Sequence, residues 1–171
     1  DKRYNITVPK SVKVIGGAAF LGVKGKINID ISNITSIGDQ AFVASDLSGT
    51  ITISKNLKFD GKKNPLWVCT AVFSKTKITA VVIEEGVTRI GDHTFEYLEN
   101  ATEITIPKSV TEISETAFVL NANQDSMTIK GYEGSCAQEY ALSHDIPFVA
   151  MSHKHIYSNP NFVWSEDYTS C

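Results

Sequence analysis

Two segments of fourteen residues in this chain of 171 residues are closely similar, TVPKSVKVIGGAAF at 7–20 and TIPKSVTEISETAF at 105–118. Eight of the fourteen positions are identical without a gap. The phenylalanine that ends each segment recurs at intervals of 22, 31, 22 and 23 residues, as Phe20, Phe42, Phe73, Phe95 and Phe118. Self-similarity at a period of roughly 20–50 residues is the signature of repeat proteins. The pattern therefore predicts a solenoid in which one repeat carries an insertion of about eight residues.

Each repeat opens with a short stretch in which apolar and small or polar residues alternate. These stretches are ITVP (6–9), INID (27–30), ITIS (51–54), VVIE (81–84), ITIP (104–107) and MTIK (127–130). Alternation with a period of two is typical of a half-buried strand. We therefore predict one short strand at the start of each repeat.

Further apolar positions follow each strand at regular places. The first set is Val12, Ile34, Leu57, Val87 and Val110, and the second, three residues later, is Ile15, Ile37, Ile90 and Ile113. The stretches GDQAF (38–42) and GDHTF (91–95) then predict a tight helical or 3₁₀ turn that places its Phe in the core. No single repeat can bury all these residues, so we expect stacked repeats to form one continuous apolar column.

The repeats ITIPKSVTEISETAF (104–118) and VVIEEGVTRIGDHTF (81–95) closely resemble the BspA-like (Treponema-type) leucine-rich repeat. The unit of that family runs roughly I-x-I-P-x-x-V-x-x-I-G-x-x-A-F, and the resemblance covers about residues 5–149. It implies an α/β protein, a right-handed leucine-rich-repeat solenoid or horseshoe. Its short strands are expected on the concave face, with short helical or 3₁₀ turns and a C-terminal cap helix.

The stretch GYEGSCAQEYALSHDIPFV (131–149) is similar to the C-terminal cap of that family. Ser135 and Gln138 predict a capping box at the start of a helix, and Ala137, Tyr140 and Ala141 give that helix an apolar face. We accordingly assign residues 1–150 to a repeat domain of about five repeats plus the cap.

The remaining residues, 151–171, lack the repeat pattern. Their sequence resembles the start of short His/Trp/Cys modules that follow such repeats in surface proteins of Gram-positive anaerobes. We interpret 151–171 as a tail that begins a truncated module, and we expect a secreted or cell-surface protein of a Gram-positive anaerobic bacterium.

At the N-terminal end of the chain no polar cap precedes Ile6. We therefore expect further sequence before Asp1 or pairing of the exposed end with a neighbour.

Composition argues against several partners. The net charge is −3, which gives no electrostatic reason to expect nucleic acid. No run approaches the ~18 apolar residues of a membrane span.

The three cysteines, Cys69, Cys136 and Cys171, have the spacing of neither a disulfide framework nor a metal site. Cys69 and Cys136 are interpreted as small buried apolar residues.

Candidate catalytic groups are few. His153 and His155 would share one face of a strand and could bind a metal, but a solvated tail is the stronger interpretation. His93 lies in a repeat turn without a Ser or Cys partner at fixed spacing. GGAAF (16–20) lacks the Lys and the Ser or Thr of a phosphate loop. We predict no catalytic residue, no metal and no cofactor, and hence no enzyme.

Two surfaces are candidates for binding. The outward middle row of the predicted strands is Thr7, Asn28, Thr52, Val82, Thr105 and Thr128, although strand propensity alone also explains a row of threonines. The insertion KFDGKKNPLWVC (58–69) offers Lys62, Lys63 and Trp67 to an acidic or glycan partner. Alternatively, Trp67 folds back over the core and fills the place of a lost Ile.

The resemblance to BspA-like proteins implies a function without catalysis. The leading hypothesis is a secreted or cell-surface interaction module that adheres to a host matrix protein, a glycan or other cells. The alternative is a structural stalk or spacer that displays other domains of a larger surface protein.

Overall fold

The chain winds into a column of stacked turns in the computed structural model, which describes residues 3–59, 71–119 and 127–152. The strands are β1 (Ile6–Thr7), β2 (Val14–Ile15), β3 (Ile27–Asn28), β4 (Ser36–Ile37), β5 (Ser48–Ile53), β6 (Lys58–Phe59), β7 (Lys77–Ile83), β8 (Arg89–Ile90), β9 (Glu103–Thr105), β10 (Glu112–Ile113), β11 (Thr128–Gly131) and β12 (Phe148–Ala150), and the helix α1 (Cys136–Ser143) lies between β11 and β12. Every described strand pair is parallel. The predicted repeat solenoid is confirmed.

The predicted opening strands form a first strand column, which consists of β1, β3, β5, β7, β9, β11 and the cap strand β12. Five of these strands, β5, β7, β9, β11 and β12, pair side by side in one sheet, and β1 pairs with β3 separately. Val81 lies in register between Ile51 and Ile104. All three side chains are at most 4 % exposed. Each repeat is therefore covered by the repeats on either side of it.

A second strand column, consisting of β2, β4, β6, β8 and β10, runs parallel to the first. It pairs as β2–β4–β6 and as β8–β10. The sequence predicted that Ile15, Ile37, Ile90 and Ile113 point inward, and these residues lie in β2, β4, β8 and β10. The strands themselves were not predicted, because two residues are too few to show a period of two.

The phenylalanines at the ends of the repeats form a third column inside the solenoid. The Phe20 and Phe42 rings stack with centroids 5.0 Å apart, and the Phe42 and Phe73 centroids are 5.9 Å apart. Phe95 and Phe118 stack at 5.5 Å. Phe42, Phe73, Phe95 and Phe118 are fully buried. Offset stacking of buried rings adds to the free energy gained by burial itself.

The turns that carry Phe20, Phe42, Phe73 and Phe95 are successive β-turns with left-handed residues on both sides of the Phe. Gln40 and Ala44 flank Phe42, and His93 and Tyr97 flank Phe95, with φ of 54° at all four. In the first repeat, backbone N–H groups donate from Ala19 to Gly16, from Leu21 to Ala18 and from Val23 to Phe20. The 3₁₀ helix of the described residues lies elsewhere, at Ile31–Asn33 between β3 and β4.

Backbone hydrogen bonds join each of these turns to the next repeat. Phe20 donates its N–H to the Ala41 carbonyl at 2.7 Å, and Phe95 donates to the Ala117 carbonyl at 2.9 Å. The same direction, from N–H of one repeat to C=O of the following repeat, holds for Gly22, Ala44 and Tyr97. We call these stacked turns the turn column. Because its bonds all point one way, the last turn presents N–H groups toward the C-terminal end.

The helix α1 begins after Ser135, as predicted, and buries Ala137, Tyr140 and Ala141. The predicted capping box is wrong in its contacts. The Ser135 hydroxyl donates to the Tyr132 carbonyl, and the Gln138 side chain accepts the Gly134 N–H at 2.8 Å. The reason is that the Ser135 N–H already donates to the Tyr132 carbonyl, so Gln138 reaches one residue further back.

The C-terminal cap closes the first strand column, the second strand column and the turn column. Strand β12 pairs with β11 and ends the first column. In the second column the Ile113 backbone hydrogen-bonds to the Cys136 thiol, and in the turn column the Phe118 backbone bonds to the Tyr140 hydroxyl. The Tyr140 ring also packs edge-on against Phe118, with centroids 5.6 Å apart. The backbone groups at this end therefore gain side-chain partners in place of a further repeat.

We expect Phe95→Ala to lower the free energy of unfolding by about 3–5 kcal/mol, because it opens a cavity in the middle of the phenylalanine column. Phe20→Ala is the matched control. Phe20 is only half-buried at the N-terminal end, so its loss should cost about 1–2 kcal/mol. Urea unfolding followed by circular dichroism measures both values. Equal losses would contradict a core that is continuous along the stack.

Gly38 supplies a second test, because it is buried against the turn of the preceding repeat. A Cβ at Gly38 would lie 2.4 Å from the Gly17 nitrogen, whereas a Cβ at Gly16 would meet nothing within 4 Å. We expect Gly38→Ala to destabilise by about 1–3 kcal/mol through overpacking. Gly16→Ala should change stability by less than about 1 kcal/mol. Thermal unfolding compares the two variants, and equal effects would show that the turns do not approach this closely.

Candidate functional site

Part of the predicted outward row is found on the five-stranded sheet. Thr52, Val82 and Thr105 lie opposite one another in register, and all three are half-exposed. The next place in the row belongs to Lys130, since Lys130 pairs with Thr105. The predicted Thr128 lies opposite Glu103 instead, so its place in the middle row is wrong. Both registers of β11 satisfy the alternation of apolar residues, which is why the sequence did not distinguish them.

Asn28 and Thr7 lie on a different sheet from Thr52, Val82 and Thr105, so the predicted row is not continuous. Asn28 pairs with Thr7 in the β1–β3 pair, and its amide donates to the Thr7 hydroxyl at 3.4 Å. The break follows from the irregular second repeat, in which the 3₁₀ helix Ile31–Asn33 begins directly after β3. Asp30 caps that helix by accepting from the Ser32 N–H. An open cleft of about 520 Å³, lined in part by Thr7, Asn28 and Ser48, lies at this break.

The outward face of the five-stranded sheet has simple chemistry. Its middle row consists of small side chains followed by Lys130, whose ammonium lies 2.7 Å from the Glu103 carboxylate. Val149 of β12 continues the row beside Lys130 and is 47 % exposed. Small side chains on adjacent strands allow a partner to approach the backbone closely, and the ion pair and Val149 add one charged and one apolar contact.

The other predicted binding residues, Lys62, Lys63 and Trp67, lie outside the described residues, and so do His153 and His155. The insertion at 58–69 therefore stays a prediction. So does the interpretation of Cys69 as a buried apolar residue.

The polar groups of the described turns serve packing between repeats. His93 pairs with Glu96 at 3.0 Å within one turn. The Asp92 carboxylate accepts hydrogen bonds from the Ser114 and Thr116 hydroxyls of the next repeat, and the Ser114 bond is the main cause that lowers the pKa of Asp92. Among residues 3–59, 71–119 and 127–152 no three His, Cys, Asp or Glu side chains are grouped to hold a metal. No helix in these ranges has the length and hydropathy of a membrane span.

The sequence predicted Cys136 as a small buried apolar residue, but it is only half-buried in α1, and it is free of a disulfide. Burial, with a smaller contribution from Glu139, raises the pKa of the Cys136 thiol. A raised thiol pKa disfavours the reactive thiolate.

Sequence reasoning missed a separation of charge along the chain. Residues 1–83 contain twelve Lys and Arg against five Asp and Glu, whereas residues 84–171 contain four against fourteen. The formal charges of the two parts are therefore about +7 and −10. The net charge of −3 conceals this difference. Because successive repeats stack in order, separation along the sequence becomes separation along the solenoid.

The basic part contains a charged depression that was also missed. It has a volume of about 230 Å³ and is lined by Arg3, Lys24, Asp46 and Lys77. Lys24, Asp46 and Lys77 each lie four residues after the Phe of their repeat, and they share its intervals of 22 and 31. This spacing is the sequence signal that would have found them, since equivalent positions of stacked repeats are neighbours.

Comparison with known proteins agrees with the geometry of the repeats. The family model for the BspA type leucine rich repeat region matches residues 2–63 and 68–157, in six copies. No curated protein and no solved structure shows a significant match to the chain. Leucine-rich repeats typically serve as protein-interaction modules. Since the match spans most of the sequence and every described strand, the chain belongs to the BspA-type leucine-rich repeat family.

Proposed function

We propose that the chain is a non-catalytic interaction module that mediates adhesion to a host matrix protein, a glycan or other cells. The observation that supports this is the outward face of the five-stranded sheet, where half-exposed Thr52, Val82 and Thr105 lie in register above buried residues. Neighbouring strands are about 4.8 Å apart, so five strands present a face about 20 Å long. Repeat proteins commonly bind along such an extended surface.

The partner lies across the strands of this face. Thr52 and Thr105 offer hydroxyl groups on different strands, Val82 between them offers a small apolar contact, and Lys130 with Glu103 forms the charged end of the row. The inserted loop at 58–69 contributes Lys62, Lys63 and Trp67 to the same partner. Aromatic and basic residues of this kind supply much of the binding energy in protein interfaces.

We place the module outside the cell, secreted or on the surface of a Gram-positive anaerobic bacterium. What supports this location is the resemblance of residues 151–171 to a module that follows such repeats in surface proteins.

The alternative function is a stalk or spacer. The observation that favours it is the mechanical continuity of the column: buried rings such as Phe42 and Phe73 stack, and hydrogen bonds join turn to turn. The small-residued sheet face requires no ligand under this alternative. A spacer needs length and stiffness, and its outward residues can be changed without effect.

The sheet face can be tested with the double variant Thr52→Glu/Thr105→Glu. We expect it to weaken binding to the immobilised partner at least about tenfold, because two carboxylates enter the contact surface. The matched control is Thr88→Glu/Thr111→Glu, which makes the same change at exposed positions beside the second strand column. Surface plasmon resonance against matrix proteins, mucins and glycans measures the affinities. Equal losses in both variants would place the contact elsewhere.

The inserted loop is tested by the triple variant Lys62→Ala, Lys63→Ala, Trp67→Ala in the same assay. We expect binding to fall at least about tenfold while the unfolding temperature stays within a few degrees. Loss of stability with unchanged binding would mean that Trp67 fills the core instead. No binding by the unaltered chain to any partner in physiological salt would favour the spacer.

A further inference from the structure

Four charged residues meet in the depression of the basic half. Asp46 is its fixed centre: its carboxylate accepts the Gly25 N–H at 2.9 Å and is only 13 % exposed. Lys77 approaches Asp46 to 3.0 Å and Lys24 to 3.9 Å. Lys24 also donates to the Ala44 carbonyl at 2.7 Å. Neighbouring repeats thus hold two ammonium groups around one carboxylate, and Arg3 completes the lining.

The lining has an excess of positive charge. The depression is lined by three cations and one carboxylate, so two positive charges remain uncompensated within it. The Lys24 and Lys77 side chains are 51 % and 61 % exposed, and each ammonium carries three N–H groups for one or two contacts. Both side chains therefore keep donors directed to solvent while Asp46 restricts their positions.

The basic surface extends beyond the depression. Lys26 is exposed and lies two residues after Lys24, and the carbonyls of both residues accept backbone N–H groups of the first repeat, from Tyr4 and Ile6. Lys75 is exposed near Lys77, with its ammonium 5.4 Å from the centre of the Tyr97 ring. A ligand with several spaced negative charges can contact more than one of these lysines at once.

From this arrangement we propose that the depression of Arg3, Lys24 and Lys77 around Asp46 binds sulfate groups of an acidic glycan. The three cationic groups that line the depression match the three free oxygens of a sulfate ester better than the two oxygens of a carboxylate. The proposal rests on the proposed adhesion function and names the ligand class and the place of contact. Binding requires no covalent change in the chain or the glycan.

Other polyanions fit the described surface less well. The depression is lined entirely by charged residues, so it offers no apolar pocket to anchor an acidic peptide. Single-stranded nucleic acids gain affinity by stacking bases on aromatic side chains, and none lines the depression. The acidic C-terminal half also repels a long polyanion, which limits contact to the basic end.

The separation of charge along the solenoid orients the protein as it approaches an anionic glycan. An anionic glycan surface attracts the half that carries about +7 and repels the half that carries about −10. The solenoid therefore approaches such a surface with its N-terminal repeats first. This attraction weakens as salt is added, because the exposed charges are screened over about 8–10 Å in physiological salt.

The test is isothermal titration calorimetry of the full chain with a short sulfated heparin oligosaccharide of defined length, in about 150 mM salt. The double variant Lys24→Gln/Lys77→Gln should raise Kd at least about tenfold, because two charge-assisted contacts are lost. The matched control is Lys13→Gln/Lys55→Gln, which removes the same charge from exposed positions of the same half. That control should change Kd less than about threefold. The desulfated oligosaccharide should not bind.

Three outcomes overturn the proposal. Equal losses in the two double variants would assign binding to the general field of the basic half, not to the depression. Equal affinity for a single-stranded DNA of matched charge would remove the preference for a glycan. Absence of heparin binding would refute the ligand class, and the proposed adhesion would still stand if the chain bound a matrix protein through the sheet face. Unfolding temperatures of all variants, measured in parallel, exclude loss of fold as the cause.

Discussion

Contact between consecutive repeats is the interaction on which this structure depends. A single turn exposes both sides of its inward residues, and only the neighbouring turns cover Val81 or Phe42. Burial is complete in the middle of the column and partial at Phe20, in the first of the described repeats. Because each repeat contacts its neighbours in order, position along the sequence equals position along the solenoid. A difference in charge between two halves of the sequence thereby becomes a polar molecule with a basic and an acidic end.

The direction of the backbone bonds explains the design of the C-terminal cap. Strand pairing is satisfied by another strand, which β12 supplies. The turn column instead ends in N–H groups, and these require an acceptor. Tyr140 provides one through its hydroxyl, whose pKa burial raises to about 12, so it stays neutral in the physiological range while it accepts from Phe118. A helix with Tyr at this place therefore combines ring packing against Phe118 with closure of the backbone column.

The features that could be predicted from the sequence are those that recur in every repeat or follow from helix capping. The period located the five phenylalanines and the inward isoleucines, and capping chemistry located the start of α1 after Ser135. Features that depend on register were not predicted. Met127, just before β11, and Ile129 within it are both apolar, and only the pairing of Ile129 with Ile104 decides the register. The Asp46 depression was not predicted because its position in the repeat is occupied by residues of opposite charge, so no single residue type recurs there. Lys24, Asp46 and Lys77 are distant in sequence but equivalent in the repeat.

Residue-resolved amide hydrogen exchange tests the coupling between repeats most directly. If the turn column is part of the cooperative structure, the amides of Phe42, Ala44, Phe95 and Tyr97, which donate to the following repeat, will exchange as slowly as amides of β7 and β9. Gly22 and Phe20 in the first described repeat should exchange faster, because Phe20 is only half-buried there. Rapid exchange at all turn amides beside slow exchange in the strands would show independent loops attached to a sheet, and would contradict the account of a continuously stacked solenoid.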